Sequence, residues 1–213
     1  SKMITEIFDP KMNFFDIGAN LGIYSLRLSM LFKESNSFAF EPIKSTYSLL
    51  EKNVKLNSLD NISTYNFGFS NKEETKNFFF YPEGTGNASS KNVSDKEDIL
   101  EVECKLKKLD DFIKNFPSKP DFIKCDVEGA ELFVFEGGVS TIKEYKPIVF
   151  SEILRKWSRK FDYNPNDIFD LFYDIGYKSY FPISGKLHPF GYMDEETTAT
   201  NFFFLHEKNH QKI

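Results

Sequence analysis

Short apolar runs alternate along this chain with longer segments in which apolar residues return every three or four positions. Runs too short for a helix, separated by helical periods, predict strands joined by covering helices. "NFF" leads into the glycine-bearing "DIGANLG", after which Tyr24, Leu28 and Leu31 fall at i, i+4 and i+7, predicting a helix over about 21–32. "SFAFEP" predicts a second strand ending at Glu41, with Pro42 opening the next helix, where its missing amide proton is no loss. That helix runs to about residue 57 with Tyr47, Leu50 and Val54 on one face, and a third strand follows over 61–70.

The regular alternation then pauses. "NFFFYP", a turn-rich "EGTGNASSKN" and "ILEVECKL" predict two strands joined by a polar loop, a hairpin inserted over about 77–106. "LDDFIKNF" spaces Leu109, Phe112, Ile113 and Phe116 as a helix that Pro117 and Pro120 end. "PDFIKCDVEG" predicts the fourth strand, and the helix after it, with Leu132, Phe135, Val139 and Ile142 on one face, should bend at Gly137-Gly138. "KPIVFSEI" predicts a fifth strand ending near Glu152, and Asn164-Pro165 opens a helix through Ile175 that Gly176 caps. "GYKSYF" and "TNFFFLH" supply two more strands. The order predicts an α/β protein with a mostly parallel seven-stranded sheet, helices on both faces and an antiparallel C-terminal strand, as one domain over 1–213.

Composition narrows the function classes. With 40% hydrophobic and 28% charged residues and a net charge of -5, the chain has a globular profile and no basic field for gripping nucleic acid. No apolar run reaches the ~20 residues of a membrane span, and "SKMITE" lacks the layout of a secretion signal, so a cytoplasmic protein is expected. In that setting the sequons at Asn61, Asn87 and Asn92 carry no glycan, and Cys104 and Cys125 read as small packing groups. The 25 phenylalanines fall in strand runs and at helical spacings, as core residues do.

In an open parallel sheet, ligands sit beyond the carboxyl ends of the strands. Four predicted strand ends carry acids: Asp16 with the glycine turn, Glu41, Asp126 with Glu128, and Glu152. Gly18 and Gly22 allow a ligand close to the backbone, and the following helix points free amides at it. A dinucleotide site needs G-x-G-x-x-G, and Gly18 and Gly22 with Asn20 between them do not supply it, which counts against a NAD-type oxidoreductase domain.

D-x-G-x-N-x-G with an acid ending the next strand instead resembles the cofactor site of class I S-adenosylmethionine-dependent methyltransferases. "FDIGANLGIYSL", "FEPIKSTYSLLEKNVKLN", "LDDFI", "DFIKCDVEGAELFVFEGG" and "PIVFSEI" stand in the order and approximate spacing of the FkbM family. The resemblance is best over 13–153, and "IKCDVEGAE" is its most specific element. It implies a Rossmann-like fold, S-adenosylmethionine as cofactor, and methyl transfer to a hydroxyl of a sugar, glycan or related small molecule. Asp16, Gly18, Ala19, Asn20 and Gly22 would then meet the cofactor's amino-acid part. Glu41, followed by Pro42, would take its ribose hydroxyls, Phe67 and Gly68 would lie near its adenine, and Asp126 would border it.

Methyl transfer from a sulfonium is a direct displacement, so the protein aligns the reactants, and a poorly acidic alcohol gains from a base. Asp126 is the leading candidate, with Glu128 and Glu152 beside it, since clustered carboxylates raise one another's pKa. Glu131, Trp157 and His188 are candidate substrate contacts, His188 from a loop. Glu131 equally suits a helix N-terminus, and Trp157 lies in a basic stretch with Arg155, Lys156, Arg159 and Lys160 that solvent alone would explain. Several carboxylates could hold a divalent ion, yet no metal site is expected, nor at His206 and His210 in the polar tail. A non-catalytic module that keeps the fold is a further alternative. Acceptor identity and oligomeric state are not legible.

Overall fold

The computed structural model describes residues 2–80, 88–89 and 100–213. Its main sheet has eight strands: β1 (Asn13–Ile17), β2 (Asn36–Phe40), β3 (Ile62–Tyr65), β8 (Phe122–Cys125), β9 (Ile148–Glu152), β10 (Tyr177–Ile183), β11 (Lys186–Phe190) and β12 (Asn201–His206). Their order is β11-β10-β12-β9-β8-β1-β2-β3. The five from β9 to β3 run parallel. β12 lies antiparallel between β9 and β10, and β11 turns back along β10.

The expected seven strands thus become eight. β11, read as the loop holding His188, is an exposed edge strand whose His188 pairs with Phe181. Its polar "GKLHP" carries little strand signal, and tertiary pairing with β10 makes it a strand.

Period-2 alternation assigns the two faces. Phe14, Phe122, Ile148, Phe150 and Phe203 face α1 (Lys2–Ile7) and α2 (Ile23–Leu31), whose Met3, Ile4 and Leu28 complete one core layer. Ala39 faces Leu50 of α3 (Lys44–Leu56). Phe15, Ile17, Ile123, Val149, Phe202 and Phe204 face the opposite layer, built from α4 (Leu109–Lys114), α5 (Glu131–Glu136), α6 (Val139–Tyr145) and α8 (Asn166–Asp174). The phenylalanines are that core: Phe172 stacks on Phe204 with ring centroids 4.1 Å apart, both side chains fully buried.

The bend expected at Gly137-Gly138 is a full break between α5 and α6. A Cβ on Gly137 would stand 2.0 Å from the Ser70 carbonyl oxygen, so close chain crossing requires the glycine. Pro42 lies outside α3, which starts at Lys44 after Ile43. α1 was not anticipated, because its few apolar residues give too short a period.

The insertion forms its own small sheet, in which β5 (Glu74–Phe80) and β7 (Leu100–Lys107) pair antiparallel and β4 (Gly68–Phe69) runs beside β7. β6 (Ala88–Ser89) pairs with the end of β5. Most of the predicted polar loop lies outside the described residues. Cys104 and Cys125 are buried free thiols, and burial pushes the Cys104 thiol up to about 12, as suits a packing group.

Candidate active site

The end of β1 and the end of β2 are tied together by the glycine turn. Gly18 and Ala19 both donate to the Phe40 carbonyl, at 3.1 and 3.0 Å. Gly18 sits at φ 72, and a Cβ there would fall 2.0 Å from the Asp126 carbonyl oxygen, so this turn can pass β8 only as glycine. Glu41 faces the turn: its Oε2 accepts the Asn20 N–H and its Oε1 the Ile43 N–H, each at 3.0 Å. Burial pushes this carboxyl up to about 7, against the two backbone bonds that favour its charge. Each oxygen keeps a lone pair, so Glu41 can accept from a vicinal diol. Asn20 Oδ1 is buried without a hydrogen-bond partner among the described residues, an acceptor suited to an incoming ammonium. Asn66 fixes the far side by donating to the carbonyls of Glu41 and Pro42.

Asp16 was expected to meet the cofactor's amino-acid part. The residue is fully buried, and its Oδ2 accepts both the backbone N–H and the hydroxyl of Ser25, so it anchors α2. Its Oδ1 stands 3.3 Å from Lys124 Nζ. The same ammonium donates to the Gly18 carbonyl at 2.6 Å and lies 3.7 Å from Asp126 Oδ2. Burial works against the Lys124 charge, but Asp16 and Asp126 outweigh it and leave its pKa raised. Phe67 likewise offers a ligand only its backbone, since its side chain is buried against Phe40 and Phe69.

Across the pocket stand the acids of β8 and β9. The Asp126 side chain is 30% exposed and reaches solvent at the sheet edge. Glu152 is raised by burial, then by the Asp126 charge and by a hydrogen bond with that side chain. Glu128, held at φ 56, is pushed up to about 8 by burial and by the charges of Asp126, Glu152 and Glu131.

Three expected substrate contacts are not gathered here. Glu131 is 1% exposed, and its Oε1 accepts the N–H groups of Val127 and Gly129, so it ties down the turn after β8. Its carboxyl is pushed up to about 7 by burial. Trp157 packs its Cβ against the Gly129 turn and carries Lys156 over its ring. His188, three strands from Glu152, lies about 14 Å away by strand spacing. Among the described residues, no group of three His, Cys, Asp or Glu side chains is placed to hold a metal ion, and no helix is long and apolar enough to cross a membrane.

Sequence reasoning missed Lys124 and Tyr24. The signal for Lys124 was a lone cation inside the apolar strand "FIKC", a position no solvated lysine would take. Tyr24 lies over that ammonium at 5.6 Å, and its hydroxyl is raised by burial, partly offset by Lys124.

The parallel strand order, the glycine turn and acids at the strand ends define a Rossmann-like methyltransferase fold. Within that class the chain belongs to the FkbM family: the Methyltransferase FkbM domain profile matches residues 16–179. It is 28% identical over 140 residues to Methyltransferase 1 of Beauveria bassiana (strain ARSEF 2860), covering 57% of this chain and 56% of that protein. It is also 28% identical over 171 residues to Methyltransferase sdnD of Sordaria araneosa, covering 67% and 65% respectively. The crystal structure of Methyltransferase FkbM from Methylobacillus flagellatus KT superposes with a TM-score of 0.59 at 17% identity, over 92% of this chain and 44% of that one. At that identity the likeness is one of fold. The chain spans only part of the length of each of these proteins.

Proposed function

We propose that this chain is an S-adenosylmethionine-dependent O-methyltransferase acting on a hydroxyl of a sugar, glycan or related small molecule. The observation that carries the reading is the pairing of two half-sites at one sheet edge. On one side Glu41 faces the Asn20 turn with lone pairs free for a diol, and on the other the Asp126–Glu152 pair reaches solvent. The bound cofactor supplies an activated methyl group on a sulfonium.

The chain's own residues do the rest. Glu41 and the Asn20 turn would hold the donor through its hydroxyls and amino-acid end. Lys124 holds Asp126 in place, and Asp126 is the group that would accept the proton of an acceptor hydroxyl. The cofactor would supply the methyl group that this oxygen takes, and Asp126 would pass the hydroxyl's proton on to solvent. A loss of alignment is costly in such a displacement, so the fully buried Asp16–Lys124–Ser25 network beneath the site is read as its support.

Calorimetric titration with S-adenosylhomocysteine tests the donor half, and no detectable binding to folded protein overturns it. Labelled-cofactor turnover of a saccharide panel tests the rest. Asp126→Asn is expected to lose roughly a hundredfold or more in kcat while still binding S-adenosylhomocysteine. Full activity in that variant removes Asp126 as the base.

A further inference from the structure

A cavity of about 520 Å³ opens between α1, α2, the carboxyl ends of β9 and β10 and the start of β12. Tyr24 and Phe150 give it aromatic walls, and Ser184, Thr200 and Asn201 give it hydroxyl and amide groups. Its volume lies in the range that small-molecule sites occupy. Among the described residues, the one charged side chain in its lining is Lys2, which is paired with Glu6 at the exposed rim.

The cavity adjoins the carboxylates. Alternation along β9 puts Glu152 on the face of Phe150, two residues earlier, and Asn201 is the direct cross-strand partner of Glu152. On β8 and β1 the same face carries Lys124 and Asp16, which are register partners. Tyr24 belongs to both places, since it lines the cavity and lies over the Lys124 ammonium.

We propose that this cavity is the acceptor site, and that it takes an uncharged, hydroxylated ring of saccharide type. The proposal rests on the methyl-donor reading above. Aromatic walls pack against the C–H face of such a ring, and the hydroxyl and amide groups bond its rim. Among the described lining residues no unpaired cation selects a phosphate or carboxylate over a neutral ring. Acceptor choice then resides in the segment before β12 and in β10, and neither Trp157 nor His188 contributes to the lining.

Saturation-transfer NMR on the whole chain with millimolar methyl pyranosides, in the presence of S-adenosylhomocysteine, tests it without requiring turnover. Glucose 6-phosphate and glucuronate serve as charged comparisons. The expected result is saturation of the neutral glycosides, reduced about fivefold or more in Thr198→Trp, which fills the cavity, and in Asn201→Ala, which removes an amide from its lining. S-adenosylhomocysteine affinity should be unchanged in both, which also verifies folding. The proposal is overturned by absent glycoside saturation in the parent, by signals that persist in both variants, or by saturation of the charged sugars alone. Failure to bind S-adenosylhomocysteine would instead overturn the donor reading, while glycoside saturation would still report on the cavity.

Discussion

Glu41 and Glu131 are physically alike: each is a buried carboxyl that accepts two backbone N–H groups and fixes a turn. Both are held up at about 7 by burial, against an ordinary 4.5. The folded chain therefore keeps protons that the unfolded chain releases between pH 4.5 and 7, so stability falls as pH rises through that window. For a fully buried group such as Glu131 the loss is on the order of 3 kcal/mol. Melting temperatures measured from pH 5 to 8 should decline, and Glu131→Gln, which retains an acceptor for the turn but does not ionise, should flatten the decline. Ligand binding separates the pair. Glu41→Ala is expected to weaken S-adenosylhomocysteine binding about tenfold or more by calorimetry, because charge-assisted bonds to a diol are lost. Unchanged affinity would remove Glu41 from the cofactor site. The sequence marked both residues as acids at element ends but could not distinguish them, since only burial and hydrogen-bond partners do so.

At the scale of elements, the strand–turn–helix units were legible wherever apolar period and turn residues agreed, as in β1 with α2 and β2 with α3. They were misread where a contact from elsewhere decides. The periodic face Leu132, Phe135, Val139 and Ile142 predicts one bent helix, and the Ser70 carbonyl crossing at Gly137 makes it two. Gly137→Ala would gain helix propensity in isolation, yet here it should cost about 3 kcal/mol, because its Cβ would meet backbone that cannot swing aside. Urea denaturation reads this directly, and a stabilised variant would show that the crossing is not tight. β11 was missed for the converse reason: exposed edge strands need no apolar alternation, and the turn at Ser184 and Gly185, both at positive φ, returns the chain along β10.

For the whole molecule, stability rests on aromatic rings interleaved between sheet and helices. Phe204→Ala, which removes a ring stacked on Phe172 and clustered with Phe169, should cost about 3–5 kcal/mol in chemical denaturation. The same layering explains the site's position. Parallel strands end together at one edge, so Glu41, Asp126 and Glu152, distant in sequence, meet there. By itself the sequence determined the alternation of strands and helices, the glycine turn and the family, because each is written in local spacing that the backbone must obey. Tertiary structure alone decided that Asp16 faces inward to Lys124, that Glu131 ties down the turn after β8, and that a cavity opens beside Tyr24. Those outcomes depend on which groups lose water together, and that is fixed only when separate segments pack.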